Sequence, residues 1–430
     1  MVPHLVTALT GPINELEQRL LDSMSAIERW FRLEWMEHTP LFYSAVDIRN
    51  AGFKLAPVEI SLFPGGWHNL TTPMLPLAVQ AAMAAIEKIC PEARNLLLIP
   101  QNQSSCTFYL SNVAQLQKIF QMAGLNVRVG SIAPEIRKNT VVELPGGGSV
   151  LLEPVLRKKN GGRGRLGLKD FDPCTILLNN ALSAGVPGIL EGITEQYLLP
   201  PLHATSSQRF KSTYFKNYEE VVKRFGKLVG VDPWLINPLF EKCDAIDFSQ
   251  PKDRASAQAH ADVLFTKIRR KYKEYGIAEK PFIVVKADGG APVASGEHAS
   301  YRVVRDATEL AHTHASDPAP GNVILQEGVL THERMNAAVA EPVVYLMDRY
   351  VVGGFYRIHA DRRPDENLNS PGSRYIPLAF ADSTHLPQLG ERPGASAPNR
   401  FYMYGVIARL AMLAASYELE ATDPEAVDFE

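Results

Sequence analysis

Helical spacing of apolar residues predicts several elements of the chain. Apolar side chains repeat every three or four positions over residues 12–35, 75–89 and 262–275, and a further predicted helix runs through Phe120. The third stretch ends at Gly276, a residue type that favours a helix C-cap. Residues 401–419 are apolar almost throughout, which predicts a buried helix rather than a membrane span.

Short apolar runs, many of them β-branched, predict the strands. They cover residues 95–99, 126–129, 175–178, 282–285 and 322–329. Residues 343–359 contain two more runs around a turn near Asp348, which predicts a hairpin. Strand, helix and strand alternate in the first half of the chain, so we expect an open α/β sheet there.

Polar side chains follow two of the predicted strands. Gln101 and Asn102 come after the strand at residues 95–99, and Asn179 and Asn180 come after the strand at residues 175–178, before a predicted helix. Open α/β sheets bind ligands at the carboxyl ends of their strands. These residues either contact a substrate or only cap the helices that follow. The chain has no GxGxxG motif, so a dinucleotide is not indicated.

Residues 43–70 mix charged and apolar residues without a helical period, and glycine and proline interrupt them. The missing period and the interruptions predict loops. Binding residues often gather on loops held by a rigid scaffold, so we expect binding residues here. Asp47, Arg49, Asn50 and Lys54 are candidates for a small zwitterion, with Arg49 or Lys54 holding its carboxylate. The alternative is a surface turn stabilised by local capping bonds.

Chain length predicts more than one domain. A chain of 430 residues exceeds one ordinary hydrophobic core, so we expect two or three domains. We predict an N-terminal α/β substrate-binding region over residues 1–200, a helical connecting region over 201–276 and a nucleotide-binding and catalytic region over 277–430. A formal net charge of -3 gives no general reason to expect nucleic acid as a partner.

The cysteines and the first residues indicate the compartment. The four cysteines are widely spaced and form no CxxC pair, which argues against structural zinc or a disulfide framework. No basic segment followed by an apolar one begins the sequence. We therefore expect a cytoplasmic protein with no membrane segment. The basic run at residues 157–169 predicts a solvent-exposed hairpin loop.

Residues 281–372 combine features that suit a nucleoside triphosphate. Lys286 ends the strand in PFIVVKADGG, glycines follow it, and the next strand ends in Gln326-Glu327. The predicted hairpin carries Arg357 toward the polar segment ENLNSPG. A fixed cation and mobile backbone N–H groups suit phosphates, and polar groups suit a metal ion and the leaving phosphate.

The last third of the chain resembles the ATP-grasp fold, and nearly the whole chain resembles the proteobacterial ATP-grasp type of glutamate–cysteine ligase. The stretches that carry this resemblance include DIRNAGFKLAPVE, LFPGGWHNL, FDPCTILLNNALSAG, KYKEYGIAEKPFIVVKAD and AEPVVYLMDRYVVGGFYRIH. The resemblance implies a Rossmann-like N-terminal (pre-ATP-grasp) region followed by an ATP-grasp α+β domain. It also implies ATP- and Mg²⁺-dependent joining of glutamate to cysteine through an acyl phosphate, the first step of glutathione synthesis.

The resemblance also implies roles for particular residues. Lys286 and the loop that contains Gly289 and Gly290 would hold ATP phosphates, and Gln326, Glu327 and the backbone near Val329 would receive adenine. Lys286, Arg357 and Asn367 would act in catalysis, and Glu366 and Asn369 would bind Mg²⁺. The substrate-binding candidates are Asp47, Arg49, Asn50, Lys54, Asn179 and Asn180.

Two features depart from the family pattern. The expected lid reads GGAPVASGEHASYRVV, with its glycines spread apart and Pro292 among them, and no Glu-x-Asn pair follows Phe380. Two alternatives therefore stay open. One is a ligase for a different amino-acid pair, and the other is a catalytically silent paralogue that binds nucleotide. The sequence does not decide the oligomeric state.

Overall fold

The structure is a computed structural model with a mixed α/β architecture. It describes residues 5–6, 12–102, 106–160, 163–289, 301–312, 320–378, 401–424 and 426. The α-helices in these residues are α1 (Pro12–Asp22), α2 (Met24–Glu37), α3 (Leu75–Ile89), α4 (Thr107–Met122), α5 (Lys211–Val229), α6 (Pro251–Glu274) and α7 (Phe401–Ala421). Within the described residues, every helix is too short or too polar to cross a bilayer.

The strands form three sheets and one separate hairpin. In chain order they are β1 (Leu5–Val6), β2 (Tyr43–Asn50), β3 (Leu55–Ser61), β4 (Asn95–Pro100), β5 (Asn126–Ser131), β6 (Thr140–Glu143), β7 (Ser149–Pro154), β8 (Leu156–Asn160), β9 (Arg163–Gly167), β10 (Thr175–Asn179), β11 (Tyr197–Leu199), β12 (Phe240–Ile246), β13 (Ile283–Ala287), β14 (Tyr301–Val304), β15 (Gly321–Glu327), β16 (Arg334–Met335), β17 (Ala338–Met347), β18 (Tyr350–His359) and β19 (Arg374–Pro377).

The six-stranded sheet has the order β11-β10-β4-β5-β7-β6 and is parallel except for its edge strand β6. Its central strands are apolar and buried, as parallel strands covered on both faces must be. Helix α3 precedes β4, and α4 connects β4 to β5. This arrangement confirms the predicted strands of the first half and their alternation with helices.

The seven-stranded sheet joins distant parts of the chain. Strands β17, β18 and β19 are antiparallel neighbours, and β2 pairs with β17 on one side and β3 on the other. Helix α7 packs against β2, β3, β17 and β18, and most of its side chains are buried. The buried helix predicted near the C-terminus is therefore confirmed, and the two ends of the chain share one hydrophobic core.

A four-stranded antiparallel sheet, β12-β15-β13-β14, forms a second core with α6. Pro251 is the first residue of α6, a position that proline favours. Gly276 follows the end of the helix with a φ of 64°, a left-handed conformation that glycine adopts without strain. The predicted strand at residues 282–285 is confirmed as β13, with Lys286 in its fourth position.

Three sequence-based expectations require correction. Residues 43–50 and 55–61 form strands rather than loops. The sequence pattern did not indicate β2, because this strand is buried along almost its whole length and so shows no regular alternation of polar and apolar residues. The predicted first helix is two helices that meet at Ser23. No helix follows Asn180 in described residues 180–196, where Gly185 and Gly192 adopt positive φ.

Candidate functional site

A cavity of about 300 Å³ lies between the seven-stranded sheet and the start of α4. Aromatic side chains from both sides form part of its wall, including those of Phe108, Tyr345 and Tyr375. Its polar lining includes Asp47, Glu59, His68, Asn69, Arg357 and Asn369. Two carboxylates, one guanidinium and several neutral polar groups therefore share one small space.

Arg357 holds the centre of a buried charge network. It lies on β18 directly opposite Glu341 of β17, and its Nη1 donates to Glu341 at 2.8 Å and to Asp47 at 2.6 Å. Arg49 donates to the other oxygen of Glu341 at 2.9 Å and to the backbone oxygen of Glu366 at 2.5 Å. Two guanidinium groups thus share the buried carboxylate of Glu341.

Burial and neighbouring charges set the protonation of this network. Burial opposes the charge on Arg357, but Asp47 and Glu341 outweigh it and raise its pKa. Burial raises the pKa of Asp47, although Arg357 acts in the opposite direction. Burial also opposes the charge on Glu341, yet Arg49 and Arg357 outweigh it and lower the pKa of this carboxyl. Arg357 is thus a fixed cation at the cavity wall.

Lys286 reaches the same region through Glu59. Its Nζ donates to the backbone oxygen of Val58 at 2.8 Å and lies 3.7 Å from a carboxylate oxygen of Glu59. Lys211 donates to the other oxygen of Glu59 at 2.6 Å. Burial lowers the pKa of Lys286 to about 8, although Glu59 offsets part of this effect. Since Glu59 also lines the cavity, it joins Lys286 to the wall that contains Arg357.

Several buried nitrogen atoms around the cavity lack hydrogen-bond partners among the described residues. They are both ring nitrogens of His68, Nδ2 of Asn69 and Nε of Arg357. Burial lowers the pKa of His68, so its ring is neutral at pH 7. Leaving a buried polar group unpaired costs about 1–3 kcal/mol, so unpaired groups in one cavity indicate a place for a polar ligand.

Lys54 lies in a different cluster from Arg357. Its ammonium donates to Glu327 at 2.6 Å and lies 4.2 Å from the ring centroid of Trp234. Glu327 also accepts from Trp234 Nε1 at 3.1 Å and from the backbone N–H of Leu239 at 2.9 Å. Burial lowers the pKa of Lys54 to about 8, and Glu327 offsets part of that effect. Lys54 and Glu327, both predicted site residues, are therefore paired with each other inside the protein.

The residues beside Glu327 have separate environments. Gln326 is buried, and its Nε2 has no hydrogen-bond partner among the described residues. The backbone oxygen of Val329 accepts from Arg49 Nη1 at 3.2 Å. The polar group with unused hydrogen-bonding capacity at the end of β15 is therefore the amide of Gln326.

The predicted asparagines serve as hydrogen-bond centres. Asn179 donates to Tyr43 Oη and the backbone oxygen of Pro64, and its Oδ1 accepts from Tyr109 and Asn112. Pro64, Tyr109 and Asn112 line the cavity, so Asn179 fixes part of its wall from outside.

Two further predicted residues hold local structure away from the cavity lining. Asn180 donates to the backbone oxygen of Pro100 and accepts from Leu182. The side chain of Asn50 donates to Glu333 and accepts from the backbone N–H of Gly52.

The chain after Lys286 is anchored on the start of α5. The carboxylate of Asp288 accepts from the backbone N–H of Ser212 at 2.7 Å and from its hydroxyl at 2.6 Å. Gly289 has a φ of 113°, and an added Cβ there would lie 2.2 Å from the backbone oxygen of Arg209. Only glycine fits this contact. Gly290 and the rest of the predicted lid up to residue 300 lie outside the described residues.

The polar segment at residues 366–369 reaches the cavity at one residue. Asn369 lines it, whereas the Glu366 carboxylate accepts from the backbone N–H of Arg363 at 2.8 Å. Asn367 accepts from the backbone N–H of Asn369 at 2.9 Å. Within the described residues, no three His, Cys, Asp or Glu side chains converge as a metal site.

Several residues of this site were not among the predicted site residues, and four of them are charged or have unpaired polar atoms. Glu59, His68 and Asn69 line the cavity, and Glu341 orders both arginines. The sequence signal for the first three was the polar segment at residues 43–70, in which they lie. Glu341 had no such signal, because it sits within an apolar strand and its role depends on cross-strand pairing.

Comparisons with known proteins agree with one another. Residues 17–419 match the family described as glutamate-cysteine ligase. A crystal structure from Methylobacillus flagellatus KT, titled "Putative gamma-glutamylcysteine synthetase", is 50% identical, with a TM-score of 0.89 and coverage of 98% of this chain and 100% of that chain. A glutathione synthetase-like effector from Globodera pallida has 10% identity, coverage of 84% and 83% and a TM-score of 0.39, too low to support an inference.

No curated protein matches the sequence significantly. The family match covers most of the chain, and the similar crystal structure spans nearly all of it. The chain therefore belongs to the glutamate-cysteine ligase family.

Proposed function

We propose that this protein is an ATP-dependent ligase of the ATP-grasp type that joins the γ-carboxylate of glutamate to the amine of cysteine through an acyl phosphate. The observation that carries the proposal is the cavity, which brings the buried guanidinium of Arg357 together with Glu59 and, through Glu59, with the ammonium of Lys286. Family membership supports the ligase activity. Two fixed cations near one cavity suit the transfer of a phosphoryl group to a carboxylate.

The arrangement of the sheets supports the ATP-grasp assignment. The four-stranded sheet carries Lys286 and Gln326, and the seven-stranded sheet carries Arg357. We propose that ATP binds between these two antiparallel sheets. The six-stranded, mainly parallel sheet would be the Rossmann-like region of the fold. The proposed regions 1–200, 201–276 and 277–430 remain our division of the chain, with β2 and β3 of the first region extending the sheet of the third.

ATP would be held at both of its ends. We propose that Lys286 binds its phosphates and that the segment beginning at Gly289 and Gly290 covers them. At the adenine end, the unpaired Nε2 of Gln326 supports a direct contact. Glu327 is already paired with Lys54, so it and Val329 would shape this end from within the protein.

Magnesium would use few protein ligands. Magnesium prefers oxygen ligands and takes several of them from phosphates and water, so a small protein contribution fits its chemistry. We propose Asn369, which lines the cavity, and Glu366 as its protein ligands, with Asn367 fixing the segment between them. When bound, the ion would neutralise phosphate charge during transfer.

The amino-acid substrate fits the cavity by charge. A zwitterion presents an ammonium group, for which Asp47 and Glu59 supply carboxylates, and carboxylates, for which His68 and Asn69 supply unpaired nitrogen atoms. Arg357 would stabilise the charge on the transferring phosphoryl group and on the tetrahedral oxyanion. Arg49, Asn50, Lys54, Asn179 and Asn180 are paired within the protein, so we propose that they position this site.

ADP release tests this function. We expect rapid ADP release only with glutamate and cysteine present together, measured with glutamate alone, with cysteine alone, with both, and with other amino-acid pairs. Rapid release with another pair alone would establish the different ligase. No release with any pair, alongside ATP binding, would establish the silent paralogue.

Lys286→Met tests the proposed phosphate contact. We expect turnover to be lost while the circular dichroism spectrum stays unchanged, because methionine keeps most of the length of the side chain but lacks the charge. Full activity of this variant would remove Lys286 from the mechanism.

A further inference from the structure

Cys90 and Cys174 lie side by side although 84 residues separate them along the chain. Their sulfur atoms are 3.3 Å apart. Cys90 directly follows α3, and Cys174 directly precedes β10. Both are free cysteines with partly exposed side chains, so a small reagent reaches them.

Backbone hydrogen bonds hold each of the two cysteines in place. The N–H of Cys90 donates to the oxygen of Ile86 at 2.8 Å, and the oxygen of Cys174 accepts from Tyr197 at 2.9 Å. A disulfide bond is about 2.0 Å long, so the sulfur atoms need to approach by a little over ~1 Å. Small rotations of the two side chains supply a movement of that size.

We propose that Cys90 and Cys174 form a reversible thiol–disulfide site that links α3 to β10 when the protein meets a low-molecular-weight disulfide. In a reducing compartment such links form transiently, as redox-responsive bonds rather than permanent ones. This inference concerns the chain's own thiols and does not rest on the proposed ligase activity.

The chemistry is two successive exchanges. The thiolate of Cys174 attacks a small disulfide, which forms a mixed disulfide and releases one small thiol. The thiolate of Cys90 then attacks the Cys174 sulfur, which closes the protein disulfide and releases the second small thiol. The two protein thiols are oxidised, the small disulfide is reduced to two thiols, and the two protons pass to these products.

The environment of Cys90 supports this order. Burial raises the pKa of the Cys90 thiol, and the hydrogen bond with Cys174 raises it further. A raised pKa keeps Cys90 protonated and slow toward external disulfides. The second exchange is intramolecular, and the closeness of the two sulfur atoms compensates for a low thiolate fraction.

The link would join two elements that support the cavity. Lys88, near the end of α3, donates to Asp348 in the turn that leads into β18, the strand of Arg357. Strand β10 ends at Asn179, which holds the opposite wall. The disulfide would therefore connect the supports of two sides of the cavity without entering it.

A variant that retains only this pair provides the test. Cys106→Ser/Cys243→Ala removes the other two thiols and is incubated with glutathione disulfide. We expect thiol titration after denaturation to fall from two groups to none, and the mass to fall by two hydrogen atoms. Peptide mapping should link Cys90 to Cys174, and dithiothreitol should restore both thiols. Closing so long a loop should raise Tm by about 5 °C.

Three outcomes would overturn the inference. They are two thiols that remain after incubation, a lasting mixed disulfide with glutathione, and a disulfide between two chains. Cys90→Ser in the same background is the matched control, because it should stop at the mixed disulfide of Cys174. Intact mass is measured on both variants before heating, and circular dichroism is recorded on the same samples. The mass shows whether exchange occurred and the circular dichroism shows whether the variant is folded, so a failed exchange is separated from poor folding.

Discussion

The Arg357–Glu341 and Lys54–Glu327 pairs are both buried ion pairs, but they differ in what surrounds them. Glu327 is satisfied by Lys54, Trp234 and a backbone N–H. Arg357 borders a cavity of about 300 Å³, and its Nε has no partner among the described residues. Burial and charge are common to both pairs, so neither property distinguishes a structural pair from a functional one. Access to a cavity and unused hydrogen-bonding capacity distinguish the functional pair from the structural one.

The largest expected effect is on catalysis, at the Arg357 pair that borders the cavity. Arg357→Lys keeps the charge but loses the planar fork that reaches Asp47 and Glu341 together. We expect the rate of ADP release with both amino acids to fall by about 10³-fold, the order found when a transition-state donor is lost. Arg349→Lys, at the exposed hairpin turn, is the matched control and should keep full activity. Equal activities of the two variants would refute the role of Arg357.

Disruption of the Lys54–Glu327 pair should affect stability instead of catalysis. Lys54→Met leaves the buried carboxylate of Glu327 without its cation, so we expect a loss of about 3–5 kcal/mol in the free energy of unfolding, measured by urea denaturation. Lys54→Met/Glu327→Gln removes both charges, keeps an acceptor oxygen for Trp234 and should recover part of that loss. Lys267→Met breaks an exposed pair with Glu241 and should change stability by less than about 1 kcal/mol. A Lys54→Met variant of unchanged stability would contradict the comparison.

The pH dependence of ATP use should reveal Lys286. Its pKa is lowered to about 8 by burial, so the group is an ammonium below that pH and a neutral amine above it. We therefore expect kcat/KM for ATP to fall about tenfold per pH unit above this value. In Lys286→Arg, any remaining activity should lack this alkaline decline, because a guanidinium stays charged. An unchanged decline in Lys286→Arg would assign it to another group.

The smallest expected effect is on amino-acid binding at the cavity wall. His68→Phe keeps a ring but removes both unpaired nitrogen atoms, so we expect KM for the amino acid bound there to rise about 3- to 10-fold with little change in kcat. His260→Phe changes a histidine on α6 beside Glu241 and serves as the control. An unchanged KM for both amino acids would place the substrate elsewhere.

The local pattern of the sequence was sufficient for most elements. The strand that ends near Lys286, the hairpin around Asp348 and the helix at residues 401–421 follow from apolar runs and turn residues, which act over short distances. The strands β2 and β3 could not be predicted in this way. The charged residues of β2 lie inside the protein because partners on β17 and β18, about 300 residues away along the chain, reach them.

The same limit applies to the site. Sequence reasoning selected Arg357, Asp47 and Lys286, because cations and carboxylates in these patterns suit phosphate and amino-acid chemistry. It could not distinguish Asp47, which faces the cavity, from Lys54, which pairs internally with Glu327. That distinction depends on which partner lies opposite in the folded sheets, and the pairing of distant strands is not visible in a local pattern.

The most direct measurement follows oxygen from the substrate. In the proposed mechanism the glutamate γ-carboxylate is activated as an acyl phosphate in the cavity of Arg357, so one of its oxygen atoms must leave with phosphate. Glutamate labelled with ¹⁸O in the γ-carboxylate should therefore yield inorganic phosphate that carries one ¹⁸O atom, as measured by ³¹P NMR or mass spectrometry. Unlabelled phosphate released alongside the dipeptide product would contradict the account.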